Sequence, residues 1–124
     1  MNLPLWLPFG HVPEISAIEL SELVKNGGAQ LIDVRTPAEF VAGHVAGARN
    51  VPINTFKQML PKLALDPKRP IVAICATAHR SPPAVRLLRA AGYENAAQLK
   101  NGMLSWYAAK LPTSRKQNSE KVSL

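Results

Sequence analysis

Cysteine is nearly absent from this chain, since of its 124 residues only Cys75 carries a thiol. No intramolecular disulfide can form, and the paired cysteine spacings of structural zinc sites are missing, so a reducing, cytoplasmic setting is expected. Aromatic residues are scarce, 6% of the chain. With no recognition motif beside them, nucleic acid ranks below a small anionic molecule as the partner of the chain's positive charge. No uncharged apolar run approaches the roughly 18 residues that a membrane span requires. The opening MNLPLWLPFGHVPEIS lacks a basic stretch and a small-residue cleavage signal and is broken by Pro4, Pro8 and Pro13. It does not read as a signal peptide, and no membrane partner is expected. Walker, GxGxxG and GxSxG sequences are missing too, which sets nucleotide-binding and serine-hydrolase chemistry aside.

What is present supports one core: 47% of the residues are hydrophobic, enough for a single domain. The net charge of +7 is unevenly placed, because residues 1–62 are balanced and the excess of Lys and Arg falls in residues 63–124, the half that holds Cys75. The expected organisation is an apolar arm over residues 1–11 with Leu5, Trp6, Leu7 and Phe9, a domain over 12–112, and a polar, basic and flexible tail over 113–124. The arm needs an apolar surface to cover it, on its own domain or on a second copy. Oligomeric state is not readable from the pattern.

Along the domain, strand and helix signals alternate. SAIELSELVKNGG reads as a helix capped by Ser16 and Glu19 and stopped at Gly27. QLIDV is a short buried strand. TPAEFVAG begins with Thr36 as cap, Pro37 at the first helical position and Glu39 completing a capping box. ARNVP reads as a strand, and NTFKQMLPKLAL as a helix that Pro61 kinks or shortens. PIVAIC, a β-branched run without polar alternation, is the expected central parallel strand. SPPAVRLLRAAGY follows as a helix with Pro82 at its first position, Val85, Leu88 and Ala91 inward, and Gly92 as its stop. AAQLK and GMLSWYAAKLP complete the series. The pattern implies a single α/β domain, a parallel sheet with helices on both faces.

In such a sheet ligands bind beyond the carboxyl ends of the strands, where the pattern places Cys75. Between a strand end and a helix start, a thiol meets backbone N–H groups and the positive end of the helix dipole, both of which favour thiolate. Arg80, and to a smaller extent His79, add to that field. Cys75 is therefore a candidate nucleophile within an anion-binding loop. A buried, inert cysteine is the competing reading. Cys75 and His79 supply only two ligands, so no metal site is expected. His11 and His44 read as structural or exposed.

Two stretches carry a family resemblance. LIDVRTPAEFVAGHVAGARNVP, with Asp33-Val34-Arg35, Pro37, Glu39, Gly43-His44, Gly47-Ala48 and Asn50-Val51-Pro52, resembles the upstream signature of the single-domain rhodaneses, the thiosulfate sulfurtransferases. IVAICATAHRSPPAVRLLRAAGYENAAQLKNGMLSWYAAKLP is similar to their active-site strand, loop and helix and to their closing Gly...Trp...Pro pattern. The resemblance implies a rhodanese-like fold and a Cys75 that takes sulfane sulfur from a small anionic donor such as thiosulfate, holds it as a persulfide, and passes it to cyanide or a thiol. It implies that Ala76, Thr77, Ala78, His79 and Arg80 form the substrate cradle, with Arg80 shaping the loop and attracting the anion. By the same resemblance Asp33 and Arg35 brace the loop from behind, a simple ion pair at the strand end being the competing reading, Ser81 supports it, and no cofactor is needed.

Three departures from the family pattern generate expectations. Ala78 stands where many members have glycine, so a positive φ there costs on the order of 1 kcal/mol. Pro82 and Pro83 remove two N–H donors from the helix start. Asn101 replaces a frequent glycine at little cost, because asparagine tolerates the left-handed region. Four residues separate Cys75 from Arg80, where related phosphatases have five, which favours sulfur over phosphate chemistry. A protein-to-protein sulfur carrier or a non-catalytic interaction module on the same fold are the alternative functions.

Overall fold

In the computed structural model the described residues are 12–115, so the apolar arm, His11 and residues 116–124 lie outside them. Five parallel strands form one sheet in the order β1-β5-β4-β2-β3. They are β1 (Glu14–Ile15), β2 (Gln30–Asp33), β3 (Arg49–Asn50), β4 (Ile71–Ile74) and β5 (Ala96–Leu99). Between them run α1 (Ala17–Lys25), α2 (Pro37–Ala42), α3 (Ile53–Met59), α4 (Ser81–Ala90) and, after β5, α5 (Gly102–Ala108).

Local chemistry sets the helix starts as the sequence predicts. Ser16 accepts from the Glu19 N–H and Glu19 answers by accepting from the Ser16 N–H; Thr36 and Glu39 make the same reciprocal pair with Pro37 next to the cap. Pro61 ends α3 and turns the chain through a single 3₁₀ turn, Leu60–Lys62, because a ring at that position cannot donate an α-helical hydrogen bond. β4 is buried along its whole length, and each flanking strand registers on it, Asp33 opposite Ile74 and Gln98 opposite Ala73.

The sheet divides two cores. On one face Ile32, Val34, Ile71 and Ala73 pack with Phe56, Leu60, Val85 and Leu88, so α3 and α4 lie there. On the other, Leu31, Val72, Ile74 and Leu99 pack with Leu20, Phe40, Met103 and Trp106, which places α1, α2 and α5 opposite. The chain leaves β2 for α2 on one face and β4 for α4 on the other. The crevice between these diverging connections is the topological switch point of the sheet.

Four features differ from the sequence reading. β1 was not foreseen, since two residues show no period; it is held by pairing with β5 and by Ile15 packing on the core. β3 shrinks to Arg49–Asn50. Ala91 is an exposed C-cap rather than a core residue, and Tyr93 packs on the core just past it. α4 begins at Ser81, so Pro82 occupies the second helical position and Pro83 the third. Beyond Pro112 the chain pairs again, Ser114 forming an antiparallel bridge with His44.

Candidate active site

β4 ends at Ile74, and the next residue, Cys75, is 0% exposed. The loop then turns so that its N–H groups point inward. The N–H of Arg80 donates to Cys75 Sγ at 3.2 Å. Burial pushes the thiol pKa up, but the N–H groups of Arg80, Thr77 and His79 and the Arg80 guanidinium outweigh it, and the net shift is downward. None of these donors belongs to a proline. The N–H groups that Pro82 and Pro83 lack therefore take nothing from the set that reaches Sγ.

The carbonyls of the loop's first two residues are drawn the other way. Met103 N–H donates to the Cys75 carbonyl at 2.8 Å and Leu104 N–H to the Ala76 carbonyl at 3.0 Å. The first turn of α5 thus ties down two acceptors that would otherwise face an anion. This approach depends on Gly102, where a Cβ would overlap the Cys75 carbonyl oxygen and lie 2.7 Å from the carbonyl carbon of Ala76. Asn101, ahead of it, is left-handed at φ 58.

Ala78 has φ 67, the condition under which alanine is strained by about 1–2 kcal/mol. Thr77 and His79 are exposed at the rim, their side chains 2.9 Å apart between Oγ1 and Nδ1. The His79 side chain thus faces Thr77, and its backbone N–H is what favours the thiolate.

Arg80 makes the contact that the sequence does not disclose. Its guanidinium forms a two-pronged pair with Glu39 on α2, at 2.7 and 3.0 Å, bridging the crevice. Glu39 Oε1 also accepts from Thr36 N and Oγ1. Mainly through Arg80, and against partial desolvation, the Glu39 carboxyl is held down at about 2. The Arg80 pKa is raised in turn, chiefly by Glu39.

Asp33 and Arg35 are brought together but face elsewhere. Arg35 Nε donates to Asp33 Oδ1 at 2.9 Å, while its second terminal nitrogen reaches Asp33 Oδ2 at 2.8 Å and the Gly43 carbonyl at 2.7 Å. Burial opposes the Arg35 charge, but the neighbouring Asp33 carboxylate prevails, and the Arg35 pKa is raised. The pair makes no hydrogen bond to residues 75–80; it fastens the end of α2 to β2. Ser81 likewise turns away, donating at 2.6 Å to Gln98, which donates at 2.8 Å to Glu14. That relay joins α4, β5 and β1. His44 is structural, with Nδ1 2.7 Å from the Phe40 carbonyl and its ring stacked on Phe40 at 3.7 Å.

Glu39, Gln98 and Gly102 are the residues around the loop that sequence reasoning passed over. Glu39 was accounted for as a helix cap and as part of the upstream signature, neither of which discloses its contact with Arg80. Among the described residues no group of three or more His, Cys, Asp and Glu side chains could hold a metal ion. No helix there is long and apolar enough to cross a membrane.

A parallel α/β domain with a lone cysteine in an N–H-lined loop at the switch point defines a class of thiol-centred domains. The family model for the rhodanese-like domain matches residues 16–109, and the chain belongs to that family. It is 43% identical over 101 residues to an HTH-type transcriptional regulator of Mycobacterium tuberculosis, covering 77% of this chain and 43% of that protein. It is 28% identical over 112 residues to the thiosulfate sulfurtransferase GlpE of Pseudomonas putida, covering 90% of this chain and 97% of the relative. A crystal structure of a rhodanese-related protein from Thermoplasma volcanium superposes with a TM-score of 0.75 at 29% identity, covering 84% of this chain and 99% of that one. The chain spans about half the length of the first curated relatives it matches.

Proposed function

We propose that the chain is a sulfurtransferase in which Cys75 carries sulfane sulfur as a persulfide. The observation that carries this reading is the inward set of donors on Sγ, with the adjacent carbonyls tied away from it. Fixed dipoles of that kind stabilise an anionic sulfur, whether thiolate or persulfide. The relation to GlpE over nearly its full length supports it.

With thiosulfate as donor, the Cys75 thiolate attacks the outer sulfur. A bond forms from Sγ to that sulfur, the S–S bond of thiosulfate breaks, and sulfite leaves with the electron pair. The negative charge passes to the terminal sulfur of the persulfide. Cyanide or a thiolate then attacks that sulfur, the bond to Sγ breaks with its pair returning to Cys75, and thiocyanate or a new persulfide departs. Because Cys75 is 0% exposed, the attack requires the groups over it to move aside.

Incubation with thiosulfate should add the mass of one sulfur atom to the wild type and none to Cys75→Ser, and cyanide should remove it. A wild type that loads sulfur from neither thiosulfate nor a persulfide refutes the reading. A carrier or sensor module is the second reading, favoured by the 43% identical relative that bears the name of a transcriptional regulator. It would load sulfur yet turn over cyanide no faster than Cys75→Ala.

A further inference from the structure

We infer that Glu39 is a specificity-determining residue, which cancels the Arg80 charge beside Cys75 and so turns the loop from dianionic donors toward singly charged or neutral persulfides. The inference rests on the sulfurtransferase reading of Cys75. Three observations carry it.

The first is the pairing itself. Both guanidinium prongs of Arg80 end on one carboxylate, and both side chains are about one-third exposed, 33% for Arg80 and 35% for Glu39. The Arg80 charge still acts on Cys75, but toward an incoming anion it is largely offset by Glu39. The second is that Glu39 is not free to swing away, because Oε1 is also bound by Thr36 N and Oγ1 at the start of α2. Swinging Glu39 away would cost α2 the side-chain half of its capping box. The third is that the helix start behind the loop is short of donors, since Pro82 and Pro83 have no N–H. A second anionic group on a donor thus finds Arg80 already paired and a helix N-terminus short of two N–H groups.

Charge counting separates two donor classes. A thiolate meeting thiosulfate assembles three negative charges, and the products, a persulfide anion and sulfite, carry the same three. A thiolate meeting a persulfide R–S–SH assembles one: a bond forms from Sγ to the outer sulfur, the S–S bond of the donor breaks, and the thiolate R–S⁻ leaves with the pair. The proton stays on the transferred sulfur until it is lost to water. The second reaction asks much less of the loop's positive field.

The test compares sulfur loading, by intact mass at single turnover, from thiosulfate and from hydroxyethyl persulfide generated in solution from an uncharged thiol. Wild type should load faster from the persulfide at equal concentration. Glu39→Gln, which keeps an acceptor for the Thr36 N–H, should speed thiosulfate loading by about tenfold, the order expected of one unpaired cation acting on a dianion across partly solvated surface. Persulfide loading should change by less than about threefold. The pH midpoint for alkylation of Cys75 should fall, a readout that a merely structural role would not move. Adding Arg80→Gln to Glu39→Gln should remove the thiosulfate gain, and Glu39→Asp should give a smaller gain and serves if Glu39→Gln does not fold. A folded Glu39 variant that changes neither donor, or both alike, overturns the inference while sulfur loading itself stands. Wild-type protein that loads from neither donor overturns the sulfurtransferase reading and the inference with it.

Discussion

Replacing Gly102 by alanine probes how the loop is held. A Cβ there would overlap the Cys75 carbonyl oxygen and lie 2.7 Å from both the carbonyl carbon and oxygen of Ala76. All three atoms are backbone, so none can swing aside as the end of a side chain would. Gly102 also sits at φ +57, which costs an L-residue about 1–2 kcal/mol. To relieve the overlap α5 must withdraw, and the hydrogen bonds from Met103 and Leu104 to the loop carbonyls weaken, at about 1 kcal/mol each. We expect a loss of about 3–4 kcal/mol, seen as a fall of about 10–20 °C in Tm. Gly27→Ala is the control: φ is +63, yet nothing lies within 4 Å of the added carbon, so only the backbone cost of about 1–2 kcal/mol is expected. At low temperature, where Gly102→Ala remains folded, Cys75 should alkylate more slowly near neutral pH, because freed carbonyls raise the thiol pKa. A Gly102→Ala protein that melts with Gly27→Ala and keeps the wild-type alkylation profile would refute this account of the loop.

Other outcomes follow from single contacts. Arg35→Gln should destabilise by about 3–5 kcal/mol in urea titrations, since it leaves the fully buried Asp33 carboxylate without its cation; a loss below about 1 kcal/mol would mean that solvent reaches the pair. The Glu39 carboxyl is depressed from 4.5 to about 2 by Arg80, so its contribution to stability is present above pH 4.5 and lost as pH falls toward 2. Acid unfolding of Glu39→Gln should therefore be less steep over that window, and equal slopes would count against the pair. Iodoacetamide should modify Cys75 with a pH midpoint below that of a free thiol, following the direction of its shift; a midpoint above it would mean that burial prevails. Ala78→Gly relieves a left-handed alanine at φ 67 and incurs the backbone entropy of glycine, so thermal melts should show a gain of up to about 1 kcal/mol, whereas a loss greater than that would show that the methyl group packs usefully.

Much of the fold was legible because its signals are local. The capping pairs of Ser16 with Glu19 and Thr36 with Glu39, the run from Ile71 to Ile74, and the interruption at Pro61 each act within a few residues of themselves. The position of Cys75 followed from the strand it terminates. The illegible parts are contacts between distant residues. Arg80 and Glu39 are 41 positions apart, and either residue alone has a sufficient local explanation, as loop cation or helix cap. Ser81, expected to support the loop, spends its side chain on Gln98, which arrives from β5, whereas Asp33 is taken up locally by Arg35 two residues on. The prolines of α4 were expected to thin the ring of donors on Sγ. The N–H groups of Thr77, His79 and Arg80 supply that set without them, so the prolines thin only the helix start behind the loop.

The edge strand β1 has a consequence for synthesis. Its two residues pair only with β5, and Glu14 meets Gln98 across 84 intervening steps of chain. A nascent polypeptide therefore emerges from the ribosome with its first strand unpartnered until the last strand has been made, roughly 4–17 s later at about 5–20 residues per second. During that interval the far border of the sheet is open to other chains. Lesions at Glu14 or Gln98 should accordingly show themselves first in the yield of soluble protein made in cells, and only weakly in the melting of protein that has already closed.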